Sequence, residues 1–348
     1  MIETQNAKAI SQKQSWKNKA SKAARSYGLQ IGIFFVLLVI WALFIVGAPK
    51  TFLSSTIYAA YMSTIPFFAV IALPLTMIVI AGEMDLSFPS IMGVGMVAFV
   101  NVWALTDSAV LAFIASLVAG YLVGLLNGVI VVKLGIPSLV ATLGTQFFWK
   151  GFVLVVTNAG GVSLVPLKEN SLRQILVGRV ADYVPAQMIW TVIMALVVWV
   201  FLNRHKFGAH VYLIGDNVES ARLMGVNVDR TRMVNFAILG LAAAFGGILS
   251  SFEQSYFWVS LGDGYLLRTM ASVFLGGTSV FGGTGTVFGT FIGCLIIGVI
   301  QAGIVAIGKI EIFGLVINLT GFWTQLIYGL IIIVSVSLQN VLSRRLSH

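Results

Sequence analysis

SAVLAFIASLVAGYLVGLLNGVIVV, residues 108–132, decides the fold. It runs 25 residues without a charged side chain, and about 20 apolar residues suffice for a helix to cross the hydrocarbon core of a bilayer. Gly120, Gly124 and Gly128 recur within it at four-residue spacing and share one helical face. In lipid, helices associate through close contact rather than through exclusion of water, and a stripe of small residues lets two backbones approach. The spacing therefore predicts a membrane helix with a tightly packed neighbour.

The same apolar character repeats on both sides. Ser26 to Pro49 reads as span one, and Thr51 to Gly82 as span two, broken or irregular because it carries Pro66 and Pro74. Leu86 to Thr106 precedes the quoted stretch, and span five runs from near Pro137 to about Val156. A polar segment, Asn158 to Asp182, separates it from span six, Tyr183 to Asn203. Span seven is Met233 to Phe252. Thr269 to Gly308 is too long for one crossing, and its glycine-rich middle divides it into spans eight and nine. Gly285, Gly289 and Gly293 form a second stripe, assigned to span nine, and the final apolar stretch, ending at Ser343, is span ten. Stripes in both halves hint at the internal duplication common in transporters.

Composition agrees. The chain is 58% hydrophobic and 9% charged, with a mean hydropathy of +0.98, whereas soluble domains carry about 25% charged residues. No polar stretch is long enough to fold alone, so one domain is expected over 29–343, between a basic N-terminal segment, 1–28, and a tail, 344–348. The net charge of +9 does not point to nucleic acid, because the cations are dispersed between apolar runs. The basic N-terminal segment is expected either to lie against anionic membrane lipid or to be a solvated tail that only sets orientation. His205, His210 and His348 show no metal-ligand spacing, and Cys294 lies alone in an apolar helix. No cofactor is expected. No Gly-x-x-x-x-Gly-Lys-Ser/Thr loop is present, so the chain is not expected to bind ATP or to be an enzyme.

Cations concentrate on the cytoplasmic side of membrane proteins. With the N-terminus inside and ten crossings, fourteen of the 21 Lys and Arg residues fall inside, five outside and two (Lys150 and Arg268) within spans. Both termini and the loop 203–232 are thus expected in the cytoplasm, and the loop 158–182 outside. In the inner loop, Asp216 or Asn217 can cap a short helix over Val218 to Met224, which Gly225 can end in a left-handed conformation. Arg268 is expected to pair with Asp263 or Glu253 at the outer edge.

Four segments, in order, carry a family resemblance. Gly82-Glu83-Met84-Asp85-Leu86-Ser87 is similar to a Gly-Gly-Ile-Asp-Leu-Ser motif, with Glu83 in place of the second Gly. Gly124-Leu125-Leu126-Asn127-Gly128, Lys133-Leu134-Gly135-Ile136-Pro137 and Ala141-Thr142-Leu143-Gly144-Thr145 together resemble a second. Gly215 to Val228 is similar to Gly-x-Asn-x-x-Ala-Ala-x-x-x-Gly-Ile-x-Val, and Gly276-Gly277-Thr278-Ser279-Val280-Phe281-Gly282-Gly283 to Gly-Gly-Thr-Ser-x-x-Gly-Gly. These are motifs of permease subunits in bacterial ATP-binding-cassette importers for monosaccharides, the ribose, galactose, xylose and arabinose type, within the superfamily of branched-chain amino acid permeases.

The resemblance implies an all-α fold of about ten transmembrane helices in the inner membrane, with two related halves as in the vitamin B12 importer. It implies three partners: a cytoplasmic ATPase, a second permease copy (identical or paralogous) and a periplasmic solute-binding protein. Asn217, Glu219, Ser220, Arg222, Met224, Gly225, Val226 and Asn227 would form the coupling element that docks on the ATPase. Glu83, Asp85, Ser87, Asn127, Thr142, Thr145, Thr278 and Ser279 are candidates for the translocation path. A same-class permease for a branched-chain amino acid, a nucleoside or a sugar-derived signal is the alternative. A secondary transporter would need an ion or proton site at midplane, where no acid stands out.

Overall fold

A computed structural model describes residues 28, 30–312, 315–319 and 321–346. The basic N-terminal segment, apart from Gly28, and residues 347 and 348 of the tail lie outside the described residues. The chain runs through α1 (Gln30–Gly47), α2 (Pro49–Phe52), α3 (Ser55–Thr64), α4 (Pro66–Ile80), α5 (Phe88–Thr106), α6 (Ala109–Lys133) and α7 (Ser138–Thr157). Then come β1 (Val162–Ser163), α8 (Ser171–Val177), β2 (Arg179–Val180), β3 (Val184–Pro185), α9 (Ala186–Asn203), α10 (Lys206–Asp216), α11 (Val218–Leu223) and α12 (Val228–Gln254). The last part holds β4 (Tyr256–Phe257), α13 (Tyr265–Leu275), α14 (Val287–Ile307), β5 (Lys309–Ile312), β6 (Leu315–Asn318) and α15 (Phe322–Leu346).

Among the described residues, eight helices are long and apolar enough to cross a membrane, and the bent pair α3–α4 makes a ninth crossing if taken as one. The expected break in span two falls at Pro66, where the axis bends by 50°; proline disfavours helical geometry in the residue before it and lacks an N–H. Pro74 lies inside α4 without ending it. The stretch expected to hold span eight contains α13, whose 11 residues reach only about 16 Å, roughly half the hydrocarbon thickness.

The centre of the bundle is α12, packed against α4, α5 and α6. Its run Ala242 to Leu249 is buried on every face. It begins at Val228, five residues before the expected span seven, because Asn227 Oδ1 accepts from Arg230 N at 2.9 Å and starts the helix in polar sequence. The Gly120–Gly124–Gly128 stripe faces α12. A Cβ on Gly124 would overlap the Phe236 carbonyl oxygen and stand 3.0 Å from Gly240 Cα, and one on Gly128 would stand 2.8 Å from Met233 Cα. The stripe thus meets a glycine on its partner, and the two backbones touch.

The second stripe needs correction. Gly289 and Gly293 do pack on α13, against the backbones of Gly276 and Ser272. Gly285, however, precedes α14, because Thr286 accepts from Gly289 N at 3.0 Å and caps the helix there. It faces the side chains of Thr278 and Ile80.

Three two-stranded antiparallel pairings complete the described fold: β1 with β4, β2 with β3, and β5 with β6. The outer helices keep apolar side chains on their outward faces, Phe147 and Phe148 on α7 and Leu330 on α15 among them. In a membrane such faces meet lipid or another subunit.

Candidate functional site

Met84 to Ser87 cannot form a helix that continues α4, because Gly82 turns the chain at φ +79°. The backbone groups freed there need partners, since a buried unpaired N–H costs several kcal/mol at membrane depth. Side chains of α7 supply them. Met84 N donates to Ser138 Oγ at 3.0 Å and Leu86 N to Thr142 Oγ1 at 3.1 Å. Four residues of helix rise about 6 Å and two residues of extended chain about 6.6 Å, so the stretch runs alongside α7 in matching steps. Ser90 Oγ continues the series to the Gln146 carbonyl at 2.7 Å.

Asp85 and Ser87 close the turn into α5. Asp85 Oδ1 accepts from both Ser87 N and Ser87 Oγ at 2.6 Å, and Asn127 Nδ2 of α6 donates to Ser87 Oγ at 2.6 Å. Asp85, Ser87, Asn127 and Thr142 are all fully buried. In this conformation they hold backbone rather than line an opening. Thr145 is half-exposed and donates to the Thr142 carbonyl at 3.3 Å.

Glu83 points the other way. Its Oε1 stands 2.9 Å from Arg232 Nε in the first turns of α12, and both side chains are largely shielded. This pair ties the Gly82 turn to the end of the 203–232 loop. Two glycine turns and Gly215 of α10 converge beside it. Gly283 N donates to the Ile80 carbonyl at 2.8 Å, Gly215 lies against that same carbonyl, and Gly282 packs on the backbones of Gly215 and Gly82. No residue with a Cβ fits at Gly215 without displacing backbone.

The loop 203–232 contains the predicted helix as α11. Asn217 Oδ1 accepts from Ser220 N at 2.8 Å, which selects Asn217 as the cap, and Gly225 has φ +81° with nothing within 4 Å of a built Cβ. Glu219, Ser220, Arg222, Met224 and Asn227 are exposed, while Ala221 and Val226 anchor the segment. Arg222 also pairs with Asp229 at 3.3 Å on the surface. A second helix, α10, precedes it. Its Val211 and Ile214 are buried beneath Leu73, Met77 and Ile80 of α4. Its Tyr212 hydroxyl donates to the Gly285 carbonyl at 2.9 Å, and burial holds that phenol above its ordinary range, so it stays a neutral donor. The apolar spacing of Val211 and Ile214 was readable, but the glycine at 215 and the charged flanks masked it as loop.

The glycine-rich segment after α13 is held from α15. Gln339 Nε2 donates to the carbonyls of Phe274 (3.3 Å) and Thr278 (3.1 Å), and its Oε1 accepts from Val280 N at 3.3 Å. A single amide therefore satisfies the open end of a half-length helix. Gln339 carries no motif and was not among the expected site residues. Thr278 is fully buried, and Ser279 N donates to the Thr284 carbonyl at 2.9 Å inside the turn.

On the outward face of α7, Lys150 Nζ pairs with Asp263 at 2.7 and 2.9 Å. Asp263 is thereby taken from Arg268, which instead lies 5.7 Å from the centre of the Tyr265 ring. Glu253 accepts from Gln187 Nε2 at 3.2 Å. The expected pairing of Arg268 with either acid is absent among the described residues.

A family model described as branched-chain amino acid transport system / permease component matches residues 57–336. The ribose import permease protein RbsC of Escherichia coli is 28% identical over 284 residues, covering 81% of this chain and 88% of that one. The autoinducer 2 import system permease protein LsrD of Salmonella typhi is 30% identical over 245 residues, covering 68% and 71%. The corresponding LsrC protein of Klebsiella pneumoniae is 28% identical over 307 residues, covering 87% and 84%. No solved structure matches the chain.

Proposed function

The chain belongs to the branched-chain amino acid transport system / permease component family, and on that footing we propose that it is the membrane-crossing subunit of an importer driven by ATP hydrolysis in a partner. Its cargo is a monosaccharide or sugar-like solute handed over by a periplasmic binding protein. The family description names amino acids, but the relatives carry the names of ribose and autoinducer 2 permeases. A sugar or a sugar-derived signal is therefore the reading favoured over a branched-chain amino acid.

One observation supports the mechanical part most directly: the exposed α11 follows α10 after one residue, and α10 packs through Gly215 against the Gly82 and Gly282–Gly283 turns and donates from Tyr212 to the Gly285 carbonyl. A push on α11 from an ATPase would reach α4, α5 and α14 through backbone contacts, with little flexible side chain between. Residues Asn217 to Asn227 are the coupling element in this reading, and a second permease copy completes the assembly. The path runs along α7, where Thr145 and the Lys150–Asp263 pair offer polar groups on an outward face. A half-exposed ion pair on a membrane helix is costly against lipid, so that face is covered by water or by the second copy. The membrane is the bacterial inner membrane, with both termini cytoplasmic.

Two variants test the coupling. Gly225→Val forces a β-branched residue into the left-handed region, at about 1–2 kcal/mol locally, with no clash. Arg222→Glu removes only an exposed pair, worth less than about 1 kcal/mol, but reverses a charge on the docking face. Both should reach the membrane at normal levels and lose at least tenfold in uptake of labelled ribose or autoinducer 2, together with the stimulated ATPase rate. Full uptake and normal ATPase recovery in both would make this loop an ordinary connection.

The orientation has its own test. In a Cys294→Ser background, Val218→Cys should resist an impermeant thiol reagent in intact cells and react after permeabilisation. Labelling in intact cells would reverse the orientation and remove the ATPase from α11.

A further inference from the structure

Where α9 ends and α12 begins, the chain leaves a cavity of about 350 Å³ lined by His205, Lys206, His210, Asn227, Arg230 and Thr231 among others. Its ionisable groups are all basic, and no carboxylate lines it. Among the described residues neither Lys206 nor Arg230 has an acidic partner; the adjacent Asp229 pairs with Arg222 instead. Two of the other polar groups are left as donors, while the Thr231 hydroxyl is spent on the Asn227 carbonyl at 2.9 Å. His205 Nδ1 accepts from Phe207 N at 3.1 Å, which leaves Nε2 to donate, and Asn227 Oδ1 is occupied by Arg230 N, which leaves its amide N–H groups.

The same seam continues into a second cavity of about 220 Å³ with no polar lining, formed by Met194, Val197 and Phe201 of α9 and Ile238, Leu241 and Ala242 of α12, with Met77 behind them. Val234, which lines the first cavity, and Ile238, which lines the second, are four residues apart on α12, a rise of about 6 Å. The Phe201 and His205 rings are 5.7 Å apart at this join. Nearby, the Arg204 guanidinium lies 5.5 Å from the centre of the Trp199 ring. An aromatic and a cation at a helix end mark the membrane–water boundary. The basic cavity therefore sits at headgroup level and the apolar groove at acyl-chain level.

We propose that this seam binds one phospholipid with an anionic headgroup, its phosphate among Lys206, His210 and Arg230 and an acyl chain between α9 and α12. Phosphate recognition by clustered cations and donors accounts for the first cavity, and a hydrocarbon chain fits the second. Placing the lipid in the cytoplasmic leaflet rests on the proposed orientation; the binding itself requires only that the chain spans a membrane. Because Lys206 belongs to α10 and Arg230 to α12, the headgroup ties the loop that carries α11 to the bilayer.

The test uses the full-length chain in neutral detergent, titrated with phosphatidylglycerol, phosphatidylcholine or inorganic phosphate. Retained lipid is read by native mass spectrometry and stability by the thermal midpoint. One phosphatidylglycerol should be retained in excess of phosphatidylcholine. Lys206→Gln and Arg230→Gln should each weaken its binding roughly fivefold and leave phosphatidylcholine unaffected. Leu241→Trp, which fills the groove, should weaken phosphatidylglycerol without changing the response to phosphate. Lys206 and Arg230 are exposed, so single substitutions there should fold; if Leu241→Trp does not, the two glutamine variants decide the headgroup and a short-chain phosphatidylglycerol tests the groove by binding more weakly. Equal retention of both lipids, or no change in the glutamine variants, overturns the proposal. So does displacement of phosphatidylglycerol by millimolar phosphate, which would make this a site for a free anion. Failure of the unsubstituted, assembled protein to take up ribose or autoinducer 2, with lipid binding intact, would count against the importer reading alone.

Discussion

Gly124→Leu should abolish recoverable folded protein. The position has no room for even a Cβ, because the Phe236 carbonyl oxygen and the Gly240 backbone occupy the space. These are main-chain atoms at the centre of the bundle and cannot rotate away. Overpacking a rigid contact costs about 3 kcal/mol or more, and a larger side chain must separate α6 from α12. Membrane helices are held by close packing rather than by exclusion of water, so separating this pair also removes the contact that orders α4 and α5 around α12. Monodisperse protein after detergent extraction should fall at least tenfold. Gly144→Ala and Gly151→Ala on α7 are the controls, since a Cβ at either meets nothing within 4 Å. Normal recovery of Gly124→Leu would show that the α6–α12 contact yields, and that the stripe is incidental.

Arg232→Met should be the most damaging change to uptake among variants that still fold. Glu83 and Arg232 are mostly shielded, with side-chain exposures of 10% and 21%. Removing one member of a buried pair leaves the other without compensation and costs about 3 kcal/mol. It also cuts the link between the Gly82 turn and the start of α12, the two segments through which movement of α10 and α11 would spread. Uptake should fall to background, with the permease still reaching the membrane. The exchanged pair, Glu83→Arg with Arg232→Glu, should recover part of both stability and uptake, giving a favourable coupling energy in a double-mutant cycle. Wild-type uptake by Arg232→Met, or no coupling in the cycle, would remove this pair from the mechanism.

Much of the fold was legible in the sequence, because the bilayer demands long charge-free runs and satisfied backbones. The quoted stretch at 108–132 became α6, the Pro66 break became a 50° bend, and the short loop helix formed with Asn217 as cap and Gly225 in the left-handed region. These are local properties: apolar length, proline sterics, a side chain three residues from an amide. Span eight was not legible as a half-length helix, because hydropathy averages across the turn that ends it. Only the packed structure shows α13 stopping at Leu275, with Gln339 of α15 satisfying its open end from 61 to 65 residues away in sequence.

The candidate site divides in the same way. The motif around Asp85 and Ser87 was visible as an unusual pair of carboxylates between two spans, and its resemblance marked it for solute passage. The structure shows what holds that motif in place, since the stretch runs along α7 and its amides take hydroxyls from Ser138 and Thr142. Which of the two acids, Glu83 or Asp85, would be bonded inward and which paired with a cation was undetermined by sequence, because Arg232 lies 149 positions from Glu83. By itself the sequence determined a membrane helix bundle, its glycine-lined contact face and an exposed capped loop helix, since each follows from interactions within a few turns of chain. The tertiary structure alone decided that α12 is the partner of that face, that Lys150 takes Asp263 from Arg268, and that the Gly82 and Gly282–Gly283 turns meet Gly215 of α10. Such choices depend on which distant segments are pressed together, and no local pattern encodes the distance between them.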